Sequence, residues 1–326
     1  MPRSPTAMKT GVLLGRVVVT ALVAGYIYRR LDWGGLHAVF LRTDPVKLGA
    51  AILLQGCGIA LAVTRWRSLL ADQGIPLSWP HTARLVLTGL FFNLFYLGSV
   101  GGDAARFVGT LPHAPEGKTR VAISLAQDRV IGLGALLLML TSFMVWHFPL
   151  LLADRAAHFF AIGVPTACVI VAALAAFLWH WTSPATTGGL PNPGSKWGYF
   201  TDVLRSSFPK KAFLPAMFLS VAIHLLVVLA GFLAAHAVGI AISFTEAGVV
   251  LGVTALALSL PITIAGLGVR DGMLIWMLAT FGFTIIGEAI ALSTCLLGIS
   301  LFWAFAGGVA FFWPIPDTQA PNNISG

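Results

Sequence analysis

Residues 247–272 read AGVVLGVTALALSLPITIAGLGVRDG: a long uncharged run, then Pro261, Gly266 and Gly268, then adjacent Arg270 and Asp271. Pro261 and Gly266 should break the helix that starts near Ala247, freeing carbonyls and amides that need partners. Arg270 and Asp271 then open a new apolar segment, with no basic loop around them to explain them as topology signals. A charge at membrane depth is costly unless it is paired or faces a wet cavity. Irregular backbone at that depth must be wrapped in protein or line a cavity. A second stretch repeats the pattern. GSVGGDAAR, Gly98–Arg106, follows the apolar LFFNLFYL that holds Asn93, and it places Asp103 and Arg106 one helical turn apart.

Working outward, the chain is 57% hydrophobic and only 10% charged. Soluble domains carry about 25% charged residues, so this is an all-α, polytopic integral membrane helical bundle. Uncharged runs able to span about 30 Å of hydrocarbon recur at Val130–Ala153, Ala156–Ser195, Ala212–Thr245, Ala247–Val269 and Ala289–Pro316. Spans are expected near 12–28, 48–64, 85–100, 121–146, 158–180, 212–236, 247–263, 270–286 and 289–313, or about seven to nine membrane segments. Segments 85–100 and 270–286 are short and adjoin the Gly-rich patches, which predicts re-entrant or broken helices. The whole chain, 1–326, reads as one transmembrane domain, with an N-terminal bundle (1–181), a Pro/Gly/Ser-rich linker (182–198) and a C-terminal bundle (199–326). Two broken segments in corresponding halves point to a transporter-like repeat with a central site.

The formal charge of +8 does not indicate nucleic acid, because the cations are scattered over short loops. A Lys/Arg excess on cytoplasmic loops explains the sign. Cys57, Cys168 and Cys295 are far apart and set in apolar sequence, so they read as buried hydrophobes. There is no nucleophile elbow, Walker loop, HExxH, dinucleotide fingerprint or metal-ligand cluster. No cofactor, no metal and no catalytic activity are therefore expected; an intramembrane lipid-modifying enzyme with Asp103 or Asp271 as base ranks last for want of other catalytic groups.

Within the first patch, Gly101 and Gly102 would allow positive φ and close approach to a ligand. Asp103 would cap a helix beginning at Ala104, with Arg106 on its first turn, making a phosphate cradle. The alternative is a cytoplasmic turn in which Asp103 is a structural cap and Arg106 a topology marker. Asp128-Arg129 is either buried one turn into a long span or an interfacial anchor. Asn93 and His224, both mid-span, read as helix–helix hydrogen bonds.

Taken in order, Phe92-Asn93-Leu94-Phe95, Gly98–Arg106, Asp128-Arg129-x-x-Gly132 and Pro261–Gly272 resemble the lysylphosphatidylglycerol synthase transmembrane-region family of flippase-like membrane proteins. The resemblance implies a lipid-handling role and points to Gly101, Gly102, Asp103, Arg106, Asp128, Arg129, Pro261, Gly266, Gly268, Arg270 and Asp271. Aminoacyl transfer belongs to a separate soluble domain in two-part members and is not expected here. Leu97 stands where members often have Pro, and Asp271 where Glu is common.

The first expectation is a lipid translocator or lipid-binding transporter of the plasma (inner) membrane. Its pocket would hold an anionic phospholipid or an isoprenoid or glycolipid headgroup, with Arg106 and Arg270 as phosphate partners. The alternative is a non-catalytic subunit presenting a lipid to a separate glycosyl- or aminoacyl-transferase. Loop 181–211, with Lys196, Arg205, Lys210 and Lys211, is expected in the cytoplasm with the C-terminus, and loop 237–246, without Lys or Arg, outside. Upstream, either 85–120 dips in and returns to the cytoplasm, or 85–100 crosses fully with the N-terminus outside. In a cysteine-free background, an impermeant thiol reagent should label a cysteine at Ser243 but not one at Ser195 in intact cells. The reverse pattern would invert the assignment.

Overall fold

The computed structural model describes residues 33–95, 99–114, 117–182, 212–259, 268–283 and 286–312. Among them the regular structure is all helical, with no strand. Its helices are α1 (Trp33–Arg42), α2 (Pro45–Asp72), α3 (Trp79–Phe95), α4 (Ser99–Thr110), α5 (Lys118–Ala153), α6 (Arg155–Thr182), α7 (Phe213–Ala237), α8 (Phe244–Ser259), α9 (Val269–Thr280) and α10 (Ile286–Phe312). Five of them, α2, α5, α6, α7 and α10, are long and apolar enough to cross a membrane. The expected span 12–28, the linker beyond Thr182, Pro261 and Gly266 lie outside the described residues.

Local signals set the helix starts. Asp44 caps α2 by accepting from the N–H groups of Val46 (2.9 Å) and Lys47 (3.2 Å), and Pro45 fills the first helical position. Those hydrogen bonds, with the one from the Lys47 ammonium, hold the Asp44 carboxyl below the usual carboxylate range. The Asp44 N–H donates to the Ala237 carbonyl at the end of α7 (3.0 Å), while Arg65 meets Ser220 further along. Hence α2 and α7 lie antiparallel, side by side.

Two helical hairpins are packed into this frame. In the first, Asn93 pairs with Gly102, Gly89 with Arg106 and Leu85 with Gly109, so α3 and α4 run antiparallel. The start of α3, the end of α4, the end of α2 and the start of α5 therefore share one end of the bundle, the near end. In the second, Thr245 at the start of α8 bonds His147 (3.1 Å). Thr280 at the end of α9 reaches Asp154, and Phe281 stacks edge-on to His147. His147 and Asp154 belong to the final turns of α5 and the residue after it, so α8 and α9 open at the far end. The two hairpins enter from opposite ends. Of the two upstream alternatives, the return of 85–120 to its starting end is the one seen.

Helices from both sides of 182–198 share one core rather than forming two bundles. Ala51 of α2, Leu140 and Met144 of α5, Ala234 of α7, Val249 and Val253 of α8, Leu274 and Met277 of α9 and Leu292 of α10 are in one buried cluster. A smaller cluster of Trp66, Leu70, Leu85, Val86 and Val121 packs the first hairpin onto α2 and α5. Small residues set the closest approaches, as expected where lipid supplies no hydrophobic drive between helices. Gly307 of α10 lies against the Leu87 backbone carbonyl of α3, and a Cβ there would strike it. Gly307→Ala should therefore lower the melting temperature in detergent, by an overpacking cost of about 1–3 kcal/mol. Gly298→Ala, on the same helix with open space around it, should not; equal effects would remove the close-packing account.

Candidate functional site

Helical geometry carries three of the charges inward. Arg65 lies seven residues before the end of α2, about 10 Å along the axis, on the buried stripe with Trp66, Leu69 and Leu70. Asp128 lies ten residues into α5, about 15 Å from its start. Arg106 lies one turn before the end of α4. Across the near-end half of the bundle these three meet.

Asp128 is the junction, with 5% of its surface exposed. One carboxylate oxygen accepts from Nε of Arg65 at 2.8 Å, and the other takes both terminal nitrogens of Arg106 at 3.3 Å. Arg65 also donates to the Ser220 hydroxyl of α7 at 2.8 Å, and Ser220 in turn donates to the Ala216 carbonyl. The Arg106 guanidinium lies 4.1 Å over the Trp66 ring and 3.5 Å from Asp103. At the rim, Arg129 pairs with Asp103 at 2.7 Å with its side chain 48% exposed. Three guanidinium groups against two carboxylates leave the cluster one positive charge. Arg106 Nε and Trp66 Nε1 are buried polar atoms without a hydrogen-bond partner among the described residues.

The first patch is built differently from its sequence reading. Helix α4 begins at Ser99, so Asp103 is not an N-cap for Ala104; it is an ion-pairing residue inside the helix. Gly101 and Gly102 lie within α4, and the positive-φ glycines among the described residues are Gly74, Gly239, Gly268 and Gly282. Gly102 instead permits close packing, because a Cβ would strike Asn93 and the Gly89 carbonyl. Asn93 Oδ1 accepts the Gly102 N–H at 2.9 Å, tying α3 to α4. His224 makes a packing bond to the Gly132 carbonyl at 2.9 Å.

A second cluster forms at the inner end of the other hairpin. Gly268, at φ +82, precedes α9, and its N–H donates to Asp271 at 2.9 Å. Positive φ there favours glycine, and the carboxylate suits the positive end of the helix dipole. Ser293 of α10 accepts from Arg270 Nε at 3.0 Å and donates to Asp271. Arg270, 6% exposed, is thus tied to Asp271 through a hydroxyl rather than directly. Among the described residues no hydrogen bond or ion pair joins Arg106 to Arg270 or Asp271, and each cluster closes on its own helices.

Four participants were missed in the sequence: Arg65, Trp66, Ser220 and Ser293. Arg65 lies at the end of an apolar run, two residues before Arg67, and had no role in the sequence reading. The helical period separates them, since Val63, Arg65, Trp66, Leu69 and Leu70 fall on one stripe and Arg67 does not. No sequence signal marks Ser220 or Ser293 among other serines in apolar helices. Removing the junction tests this arrangement. Asp128→Asn leaves Arg65 and Arg106 buried without their shared anion and should cost about 3–5 kcal/mol in thermal or denaturant unfolding. Arg129→Ala removes a half-exposed partner of Asp103 at the rim and should stay within about 1 kcal/mol of wild type. Similar losses for both would mean the cluster is not desolvated.

The comparison with curated proteins finds no match. The family model described as "Lysylphosphatidylglycerol synthase TM region" matches residues 12–308. That match takes in every described helix, although α10 runs four residues beyond it, and includes both charge clusters, so this chain belongs to the lysylphosphatidylglycerol synthase transmembrane-region family.

Proposed function

We propose that this protein is a lipid translocator of the plasma (inner) membrane that passes an anionic headgroup between its two buried arginine clusters. The observation that carries the reading is a pair of helical hairpins entering from opposite ends, each bringing an arginine into the bundle, Arg106 directly against Asp128 and Arg270 linked to Asp271 through Ser293. Such an arrangement gives each leaflet its own broken element, as in transporters built from inverted halves. Membership of a family tied to lipid handling supports the same substrate class. An anionic phospholipid or a phosphate-bearing isoprenoid or glycolipid fits the chemistry. A phosphate arriving at Arg106 or Arg270 can take over the donors now held by Asp128 or Ser293, so Arg106 exchanges one anionic acceptor for another and Arg270 a hydroxyl for an anion.

Charge supports the sidedness. Near-end residues include Arg67, Arg84, Lys118 and Arg120 against Asp72, whereas the far end has Asp44, Asp154, Glu246 and Glu288 against Arg42, Lys47 and Arg155. Lys and Arg gather on the cytoplasmic side, so the near end faces the cytoplasm. No catalytic step, cofactor or nucleic acid enters this reading.

The test is leaflet exchange of labelled anionic phospholipid by purified protein in liposomes. Arg270→Ala removes a charge-assisted phosphate contact and should weaken lipid affinity roughly ten- to a hundredfold. Arg270→Lys keeps the charge but not the planar fork and should be partly active. Asp271→Asn should impair exchange, and Asp271→Glu should be tolerated. Normal exchange by a stably folded Arg270→Ala variant would make the second cluster structural. Binding without exchange by the wild type would favour presentation of a lipid to a separate transferase.

A further inference from the structure

Opposite the ion cluster, α4 has a second face that the proposed path does not use. Between α3, α4 and the last turn of α10 runs an open cavity of about 690 Å³. That volume is within the range of small-molecule sites, about 300–1,000 Å³. Its walls are apolar, with Leu85, Phe92, Val100, Ala104, Val108 and Phe311 among them. Val100 and Val108 are 54% and 63% exposed, so the groove opens sideways along the hairpin. On α3 it runs from Phe92 to His81, eleven residues or about 16 Å.

The groove ends in a basic mouth. His81 and Arg84 come from the first turns of α3, and His113 from the 3₁₀ turn Leu111–His113 after α4. The two imidazole rings meet edge to face at 4.3 Å, and Arg84 gives one of its N–H groups to the Phe311 carbonyl. Trp79, 43% exposed at the first residue of α3, has the place of an interfacial aromatic. An apolar channel open along its length, closed at the interface by three nitrogenous side chains with no carboxylate among the described lining residues, fits a chain attached to an anion.

We infer that this groove is a separate binding site for one near-end phospholipid molecule, its acyl chain lying along α4 and its phosphate against His81, Arg84 and His113. The inference rests on the lipid-handling reading and deepens it by adding a subsite outside the ion clusters. Charge complementarity and the groove's length choose the occupant: a free phosphate would leave the apolar walls open, and a neutral lipid would leave the mouth without its anion.

The experiment uses the full chain in a cysteine-free background with Val108→Cys carrying a bimane fluorophore, reconstituted in nanodiscs. Brominated-chain phosphatidylglycerol, diluted into phosphatidylcholine, should quench the probe saturably. Brominated-chain diacylglycerol, which has the acyl chains without the phosphate, should need about tenfold more lipid, the scale of one charge-assisted contact. Arg84→Ala, and separately His81→Ala with His113→Ala, should erase most of that preference. Ala104→Trp should fill the channel and abolish the saturable component, with melting temperature confirming that each variant is folded. Equal quenching by the two lipids, or unchanged quenching in Ala104→Trp, would overturn the site. Displacement by inorganic phosphate alone would assign the mouth to a soluble anion and overturn it too. Quenching that emerged only after removal of residues 313–326 would make the chain's own tail the occupant. Leaflet exchange measured alongside separates the two proposals. Exchange without phosphatidylglycerol preference sinks the groove alone, and preference without exchange sinks translocation alone.

Discussion

Asp128 holds the near-end half of the molecule together. A carboxylate on an apolar helix has a large desolvation cost, and only nearby cations and hydrogen bonds offset it. Here the offset comes from two other helices, Arg65 of α2 and Arg106 of α4. Arg65 extends the connection to α7 through Ser220. One side chain therefore fixes four helices relative to one another in a region where lipid gives them no hydrophobic reason to associate. The clustering is mutual: none of the three charges is tolerable at that depth without the others.

Around this junction the hairpins need close backbone contact, and glycine supplies it. Gly102 lets α4 approach α3 near Asn93, and Gly307 lets α10 approach α3 at the Leu87 carbonyl. The second hairpin meets α5 in the same way, with Gly248 on Phe143 and Gly252 on Leu140. Small residues place the arginines as much as the polar contacts do. A helix one methyl group further out would carry Arg106 away from Asp128.

The helical membrane character and the two hairpins were legible because they depend on long apolar runs and on glycines beside charges, both of which are local. Asp103, Arg106, Asp128, Arg270 and Asp271 were legible for the same reason: a charge in oily sequence stands out. The start of α4 was misread because Gly101-Gly102 followed by Asp103 has the composition of a cap. In the structure Asn93, from the preceding helix, accepts the Gly102 N–H instead, and a partner nine residues away leaves no mark in a local pattern. Arg65, Ser220 and Ser293 were hidden because their roles depend on which helices become neighbours. Arg65 finds Ser220 across 155 residues of sequence.

The two arms of the junction are not equally tight. Arg65 meets Asp128 at 2.8 Å, whereas both Arg106 contacts are 3.3 Å, beyond the usual N–H to O range of about 2.7–3.2 Å. Arg106 Nε is also left without a partner among the described residues. Arg106 is thus the looser arm of the junction, although Asp103 of the same helix pairs with Arg129 at 2.7 Å, and the two faces of α4 carry different residues. Asp103 and Arg106 point to the ion network, while Gly101, Ala104, Ala105 and Val108 line the open groove. A rigid helix of twelve residues cannot move one face without the other. Any displacement of α4 that widens or narrows the groove changes the Arg106–Asp128 separation, the longest of the cluster's polar links between helices. The Asp128–Arg65–Ser220 links would keep α2, α5 and α7 in place while that happens.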